Sequence, residues 1–373
     1  MSTGKNLIFL ISQPRSGSTL LQKILAGHSS IHTVSEPWIA LHPLLALRQR
    51  GVSHYHSHAL AREATLDFLS YVPGGEDTYF DSVRLMLSHL YEAALAPSGK
   101  SLFLDKTPRY YFILPELRRV FPDARFIFLI RNPLATFASI LESWVKEPLF
   151  ASRYAFRTDL LHDIFTAPAQ LIAAMEAPSP NDAFVSYEAL VQAPALHIER
   201  LCNWLGVSYE PRMIDYGAHD IPHWSFGDQN TVYTEHRPIT GRTERWRQTL
   251  RPDTAWNELA CSYLSALGQA TVERLGYDYG ECGAALAASR YGIKGAPPFL
   301  QTSVMTAAYG ESCDYLSQST YFQTLLDRLA IRRPQVKPAA QEQKSAHALP
   351  SDVPRNTGSP DADPAVRTTA QSA

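Results

Sequence analysis

Two uninterrupted apolar runs in this chain, Leu7–Ile11 and the "FIFLI" core of Ala124–Pro133, read as buried strands. Unbroken apolar runs of that length suit strands covered on both faces, as in a parallel sheet. Two further strands are predicted at Ser101–Pro108 ("SLFLDKTP") and Asp182–Glu188 ("DAFVSYE"), each ending in polar residues. Between them the spacing turns helical, at Leu20–Gly27, Leu114–Phe121, Ala135–Trp144 and Ala195–Leu205. Strand alternating with helix predicts an α/β fold built on a parallel sheet flanked by helices. Ligands of such sheets bind beyond the carboxyl ends of the strands, where the polar residues here collect.

Residues 48–100, 144–180 and 207–240 are rich in His, Tyr and Trp and read as helical insertions that build a pocket over the sheet. The boundaries expected are an α/β domain over 1–285, a C-terminal helical extension over 286–332 and a disordered tail over 333–373. The extension holds an amphipathic stretch, "STYFQTLLDRLAIRR". The tail has no aromatic residue and is dominated by Pro, Ala, Ser, Gln and Asp. No internal repeat is visible.

Composition narrows the function. The 373 residues are 45% hydrophobic, enough for a real core. A formal net charge of -2 gives no bulk attraction for nucleic acid or an anionic membrane, so any basic site is local. The four cysteines (Cys202, Cys261, Cys282, Cys313) lie far apart, with no zinc spacing, and read as reduced thiols. No signal peptide and no membrane span are read from the sequence, so a cytoplasmic protein is expected.

The loop after the first strand, "ISQPRSGSTLLQKIL", has the layout of a phosphate-binding loop, strand to polar turn to helix. Set against a Walker A motif, Gly17 takes the second glycine slot, Ser18 replaces the lysine and Thr19 takes the Ser/Thr position. The basic residue has moved back to Arg15. The N–H groups of Ser16, Gly17, Ser18 and Thr19 then face an anion at a helix start. At the end of "FIFLIRNP", where a kinase or ATPase carries a magnesium-binding Asp, stands Arg131. Ser139 follows eight residues later as a hydroxyl donor. Cations at these places point to direct neutralisation of phosphates without a metal.

These motifs resemble the sulfotransferases that use 3′-phosphoadenosine 5′-phosphosulfate. "PRSGSTLL" is similar to that family's loop for the 5′-phosphosulfate, and "IRNPLATFAS" to its 3′-phosphate motif. "YEALVQAP" (187–194) and "TGRTERWRQTL" (240–250) resemble segments that follow in the same order. The resemblance covers Leu7 to Leu250 and is nearest to the tyrosylprotein-sulfotransferase-like branch and its bacterial relatives. It implies a P-loop-like sheet and that phosphosulfate as co-substrate. Glu36 in "SEP" and Lys106 in "FLDKTPRY" match the branch's pattern. Trp38 departs from it, because the protein-tyrosine enzymes carry Arg there, and Ser143 stands where they place a second phosphate-binding Arg. A small molecule, a lipid or a carrier-bound chain is therefore the expected hydroxyl acceptor.

Sulfuryl transfer needs a base beside the acceptor hydroxyl and cations at the leaving oxygen. Glu36 is the candidate base, against the reading of a solvent-facing acid. Lys106 with Arg15 is the candidate pair for the sulfuryl group and bridging oxygen, against a surface lysine paired with Asp105. Arg131 and Ser139 are assigned to the 3′-phosphate. Tyr187 either joins them or is a core tyrosine. One or more of Arg242, Arg245 and Arg247 closes over the nucleotide, with Trp246 as a core anchor. His42, His223 and His236 are alternative bases. His54, His56 and His58 alternate and would share a face on a strand, but no carboxylate or cysteine partner is evident, so no metal is expected. The competing readings are a P-loop kinase using ATP and magnesium, and a catalytically silent nucleotide-binding protein. The missing Walker lysine and Arg131 oppose the first; the set Glu36, Lys106 and Arg131 opposes the second.

Overall fold

The computed structural model describes residues 3–49, 52, 57–145, 162–218, 224, 226, 234–252 and 255–286. The amphipathic stretch at 319–333, the tail, Cys313, His54, His56 and His223 lie outside them. Five strands form one parallel sheet in the order β2-β3-β1-β4-β5. They are β1 (Leu7–Ser12), β2 (Ile31–Thr33), β3 (Leu102–Asp105), β4 (Arg125–Ile130) and β5 (Asp182–Ser186). All four strands expected from the sequence are present. The fifth, β2, is only three residues long, too short to show a period.

β1 is central, with Ile8 opposite Leu104 on one side and Arg125 on the other. Its six residues are all buried, because helices cover both faces. Alternation divides them. Leu7, Phe9 and Ile11 pack with Phe103, Phe126 and Phe128 against Phe80, Leu87 and Tyr91 of the helix Gly75–Leu95. Ile8 and Leu10 pack with Leu104 and Ile127 against Leu21 and Leu25 of α1 (Ser18–Ala26) and Leu201 of the helix Pro194–Leu205. Each such side chain contributes about 1.5–3 kcal/mol by leaving water.

The helix Pro133–Ile140 shows how the "RNP" motif works locally. Asn132 Oδ1 accepts from the N–H of Leu134 (2.9 Å) and Ala135 (3.2 Å), and Pro133 supplies the first helical φ. The strand therefore stops at Ile130, leaving Arg131 at its carboxyl end. Beyond Ile140 the chain runs into a π turn, Leu141–Val145. This helix packs with Tyr263 and Leu264 of the helix Ala255–Leu267 in a satellite core that also takes Trp246. His58 opens the helix His58–Ser70 and bonds the carbonyl of Arg48 (2.8 Å), so His58 itself is not on a strand. Among the described residues no helix is long and apolar enough to cross a membrane, and no cluster of His, Cys, Asp and Glu forms a metal-holding group.

Candidate functional site

The loop leaving β1 turns sharply into α1. Arg15 and Gly17 both take positive φ, +70° and +94°. Gly17 is the N-cap and offers no side-chain oxygen, so α1 starts without a side-chain cap. A Cβ at Gly17 would lie 2.4 Å from the ring of Tyr187, so only glycine fits both the dihedral and the space.

Three contacts tie this loop to the end of β4 and the helix behind it. Arg15 Nε donates to Ser139 Oγ (3.3 Å), Ser16 Oγ and Thr136 Oγ1 are 3.5 Å apart, and Arg131 Nη1 donates to the Arg15 carbonyl (3.1 Å). The Arg131 guanidinium lies over Tyr187, which begins the helix after β5. Tyr187 is buried, and burial raises its phenol above the usual range while the Arg131 charge pulls it down. Arg131 Nε is buried and has no hydrogen-bond partner among the described residues. Such an orphan calls for an explanation, and an anionic ligand supplies one.

On the other flank of β1 stand Glu36, beyond the end of β2, and Lys106, directly after β3. Lys106 is fully buried, and its Nζ bonds Glu36 Oε1 at 2.5 Å. Burial holds the Lys106 ammonium below the ordinary lysine range, and the Glu36 carboxylate pulls the other way. The surface lysine paired with Asp105 is therefore overturned. Strand alternation turns Asp105 to the opposite face, where it accepts from Tyr91 (2.6 Å) and Thr107 (2.7 Å). Fully buried there, its carboxyl is pushed up to about 6, with those hydroxyls pulling it down.

Arg15, Gly17, Ser18, Thr19, Glu36, Arg131, Ser139 and Tyr187 line one cleft of about 1030 Å³. Arg242 and Arg245 line it too, paired with Glu235 and with Glu142 (3.2 Å). Arg247 does not; it turns to Glu244 and lies against Trp246. Trp246 is buried, as a core anchor would be, with one edge at the cleft. Neither His42 nor His236 lines the cleft, and His236 folds against Gly217.

Sequence reasoning missed Arg109, Trp144 and Asp163. Arg109 lines the cleft and donates two hydrogen bonds to the buried Asp163, Nε to Oδ1 at 2.8 Å and Nη2 to Oδ2 at 2.5 Å. Its guanidinium lies 5.5 Å from the Trp38 ring centre and 5.6 Å from that of Trp144. Arg109 follows Lys106 closely enough to have raised the question; Asp163 sits 54 positions away with no local signal.

Residues 7–211 match the sulfotransferase family. The chain is 31% identical over 266 residues to the nodulation protein NoeE of Sinorhizobium fredii, across 65% of this chain and 60% of that protein. The match thus spans less than two thirds of that relative's length. Among solved structures, the sulfotransferase domain of the Synechococcus PCC 7002 olefin synthase aligns over 74% of this chain and 94% of its own, at 20% identity and TM-score 0.49. The sulfotransferase domain from the curacin biosynthetic pathway aligns over 73% and 97%, at 20% identity and TM-score 0.46.

Proposed function

Because this chain belongs to the sulfotransferase family, we propose that it transfers a sulfuryl group from 3′-phosphoadenosine 5′-phosphosulfate to a hydroxyl of a small molecule, lipid or carrier-bound chain. One observation carries the reading. Two arginines from the ends of β1 and β4 and the Glu36 carboxylate from beyond β2 line one cleft, with Lys106 from the end of β3 buried against Glu36.

The donor fits the residues at hand. The buried, unpaired Nε of Arg131 and the uncapped start of α1 are donors suited to phosphate oxygens. Arg131 and Ser139 would take the 3′-phosphate; Arg15 and the N–H groups of Gly17 to Thr19 would take the 5′ side, whereas the N–H of the buried Ser16 is already given to the Gln13 carbonyl (3.2 Å). Arg242 and Arg245, which line the cleft, would cover the nucleotide. The bound donor supplies a sulfur that accepts the acceptor oxygen as the bond to its phosphate oxygen breaks. Glu36 takes the acceptor's proton, and Lys106 and Arg15 hold the negative charge that grows on the departing oxygen. Trp38, Trp144, Pro37 and Pro108 give the cleft an apolar wall beside Glu36, which suits an acceptor with an apolar or aromatic face.

Calorimetry with adenosine 3′,5′-bisphosphate and with ATP, each with and without magnesium, tests the donor. Tight binding of the bisphosphate without magnesium is expected; tighter magnesium-dependent ATP binding would defeat the proposal. Transfer of labelled sulfate to a panel of alcohols and phenols tests the reaction itself.

A further inference from the structure

Trp38 holds an uncommon backbone. Its φ is +58°, and among the described residues Arg15 is the one other non-glycine with positive φ. For a bulky side chain that conformation costs about 1–2 kcal/mol. Strain of this kind persists where the surroundings over-determine it, and it collects at functional sites.

The surroundings do so here on every side. The indole N–H donates to Glu36 Oε2 (3.1 Å). The ring meets Arg109, which is anchored by the buried Asp163; Asp163 also accepts from Tyr111 (2.7 Å). The Trp38 carbonyl accepts from the N–H of Leu41 (3.2 Å), and the Ala40 N–H donates to the buried Tyr110 hydroxyl (3.2 Å). Pro37 stiffens the link to Glu36, because a residue before proline is held extended. Each Glu36 oxygen thus has its own partner, Lys106 on Oε1 and Trp38 on Oε2. One partner would leave the carboxylate free to swing about that contact; two fix its plane.

From this geometry we infer that Trp38 is a positioning residue, whose indole N–H aims the Glu36 carboxylate while its ring forms the wall on which the acceptor lies. The inference rests on the sulfotransferase reading for its consequence in rate, but not for the contact itself.

Two measurements on the full chain test it. With tryptophan isotopically labelled, the Trp38 indole N–H resonance is assigned by its loss in Trp38→Phe. It is expected to move upfield in Glu36→Ala. A resonance that stays put overturns the proposal whether or not the chain transfers sulfate. In turnover, Trp38→Phe keeps an aromatic wall but removes the donor. It is expected to lower kcat about tenfold, the worth of a hydrogen bond to a charged group, with acceptor KM within about threefold. Wild-type kcat in that variant, or a raised acceptor KM at wild-type kcat, overturns the positioning role. A wild-type chain that transfers nothing to any acceptor sinks the sulfotransferase reading instead, and the resonance alone then decides.

Discussion

Arg131 lies across the ring of Tyr187, its guanidinium carbon 4.2 Å from the ring centre. The same ring blocks any side chain at Gly17, so Tyr187 braces both the loop after β1 and the end of β4. Replacing Arg131 with Ala is expected to weaken adenosine 3′,5′-bisphosphate by about 1.5–3 kcal/mol, the range of a charge-assisted hydrogen bond. Adenosine 5′-phosphate, lacking the 3′ group, should lose far less. Equal losses in calorimetry would make Arg131 structural.

Gly17→Ala puts a methyl group where 2.4 Å remains to the Tyr187 ring, at a φ that disfavours any side chain. Destabilisation of about 1–3 kcal/mol is expected from strain and overpacking together. Denaturant unfolding measures it, and a variant as stable as the parent would show that the ring yields freely.

Glu36→Gln keeps the shape of the side chain but cannot take a proton. A fall in kcat of roughly 10²–10⁴ is expected, with bisphosphate affinity within about threefold. The deficit should shrink for acidic phenols, which need less help to ionise. Near wild-type turnover of a weakly acidic alcohol would place the base elsewhere. His223, outside the described residues, would then be replaced before His42 and His236, which do not line the cleft.

Asp105 predicts a pH dependence of stability rather than of rate. Its folded carboxyl titrates at about 6, raised by burial from an ordinary value of 3.8. A raised value means that the folded state holds its proton more tightly than the unfolded state. The contribution is therefore fully present below pH 3.8 and is lost as pH rises through about 6. Asp105→Asn should flatten the stability profile across that window. An unchanged slope in unfolding experiments from pH 4 to 7 would mean that another group sets it.

Activity is expected to survive excess chelator, because in the proposed reaction Arg15, Lys106 and the loop N–H groups take the charge that a metal-using phosphotransferase leaves to its ion. Loss on chelation that magnesium restores would contradict this.

Most of the sheet was legible because β1 and β4 are buried on both faces, which leaves short unbroken apolar runs that end in polar loops. β2 was not, since a three-residue strand gains its place from β3 and not from its own pattern. The turn from β1 into α1 was legible because Gly17 and Arg15, its two positive-φ residues, lie within one short motif. The partner of Lys106 was not. Asp105 is adjacent in sequence, yet alternation points it to the other face, and Glu36 arrives from 70 residues away. The Asp163 anchor under Arg109 escaped for the same reason. Which arginine of "GRTERWRQ" faces the cleft depended on the turn of a short helix, Trp246–Thr249, and on Trp246 being taken by the core.

The order of the sheet also sets when the site can exist. β1 pairs with strands that begin 95 and 118 residues later in the chain, Leu102 and Arg125 counted from Leu7. Chains dominated by such distant pairings fold slowly, since a long loop must close before either pairing rewards it. Arg15, Glu36, Lys106, Arg131 and Tyr187 hang from the ends of all five strands, so no fragment of the sheet brings them together. During refolding, nucleotide binding should therefore return with the last and slowest phase, behind the recovery of helix. Ligand binding by this chain reports that the whole sheet has closed.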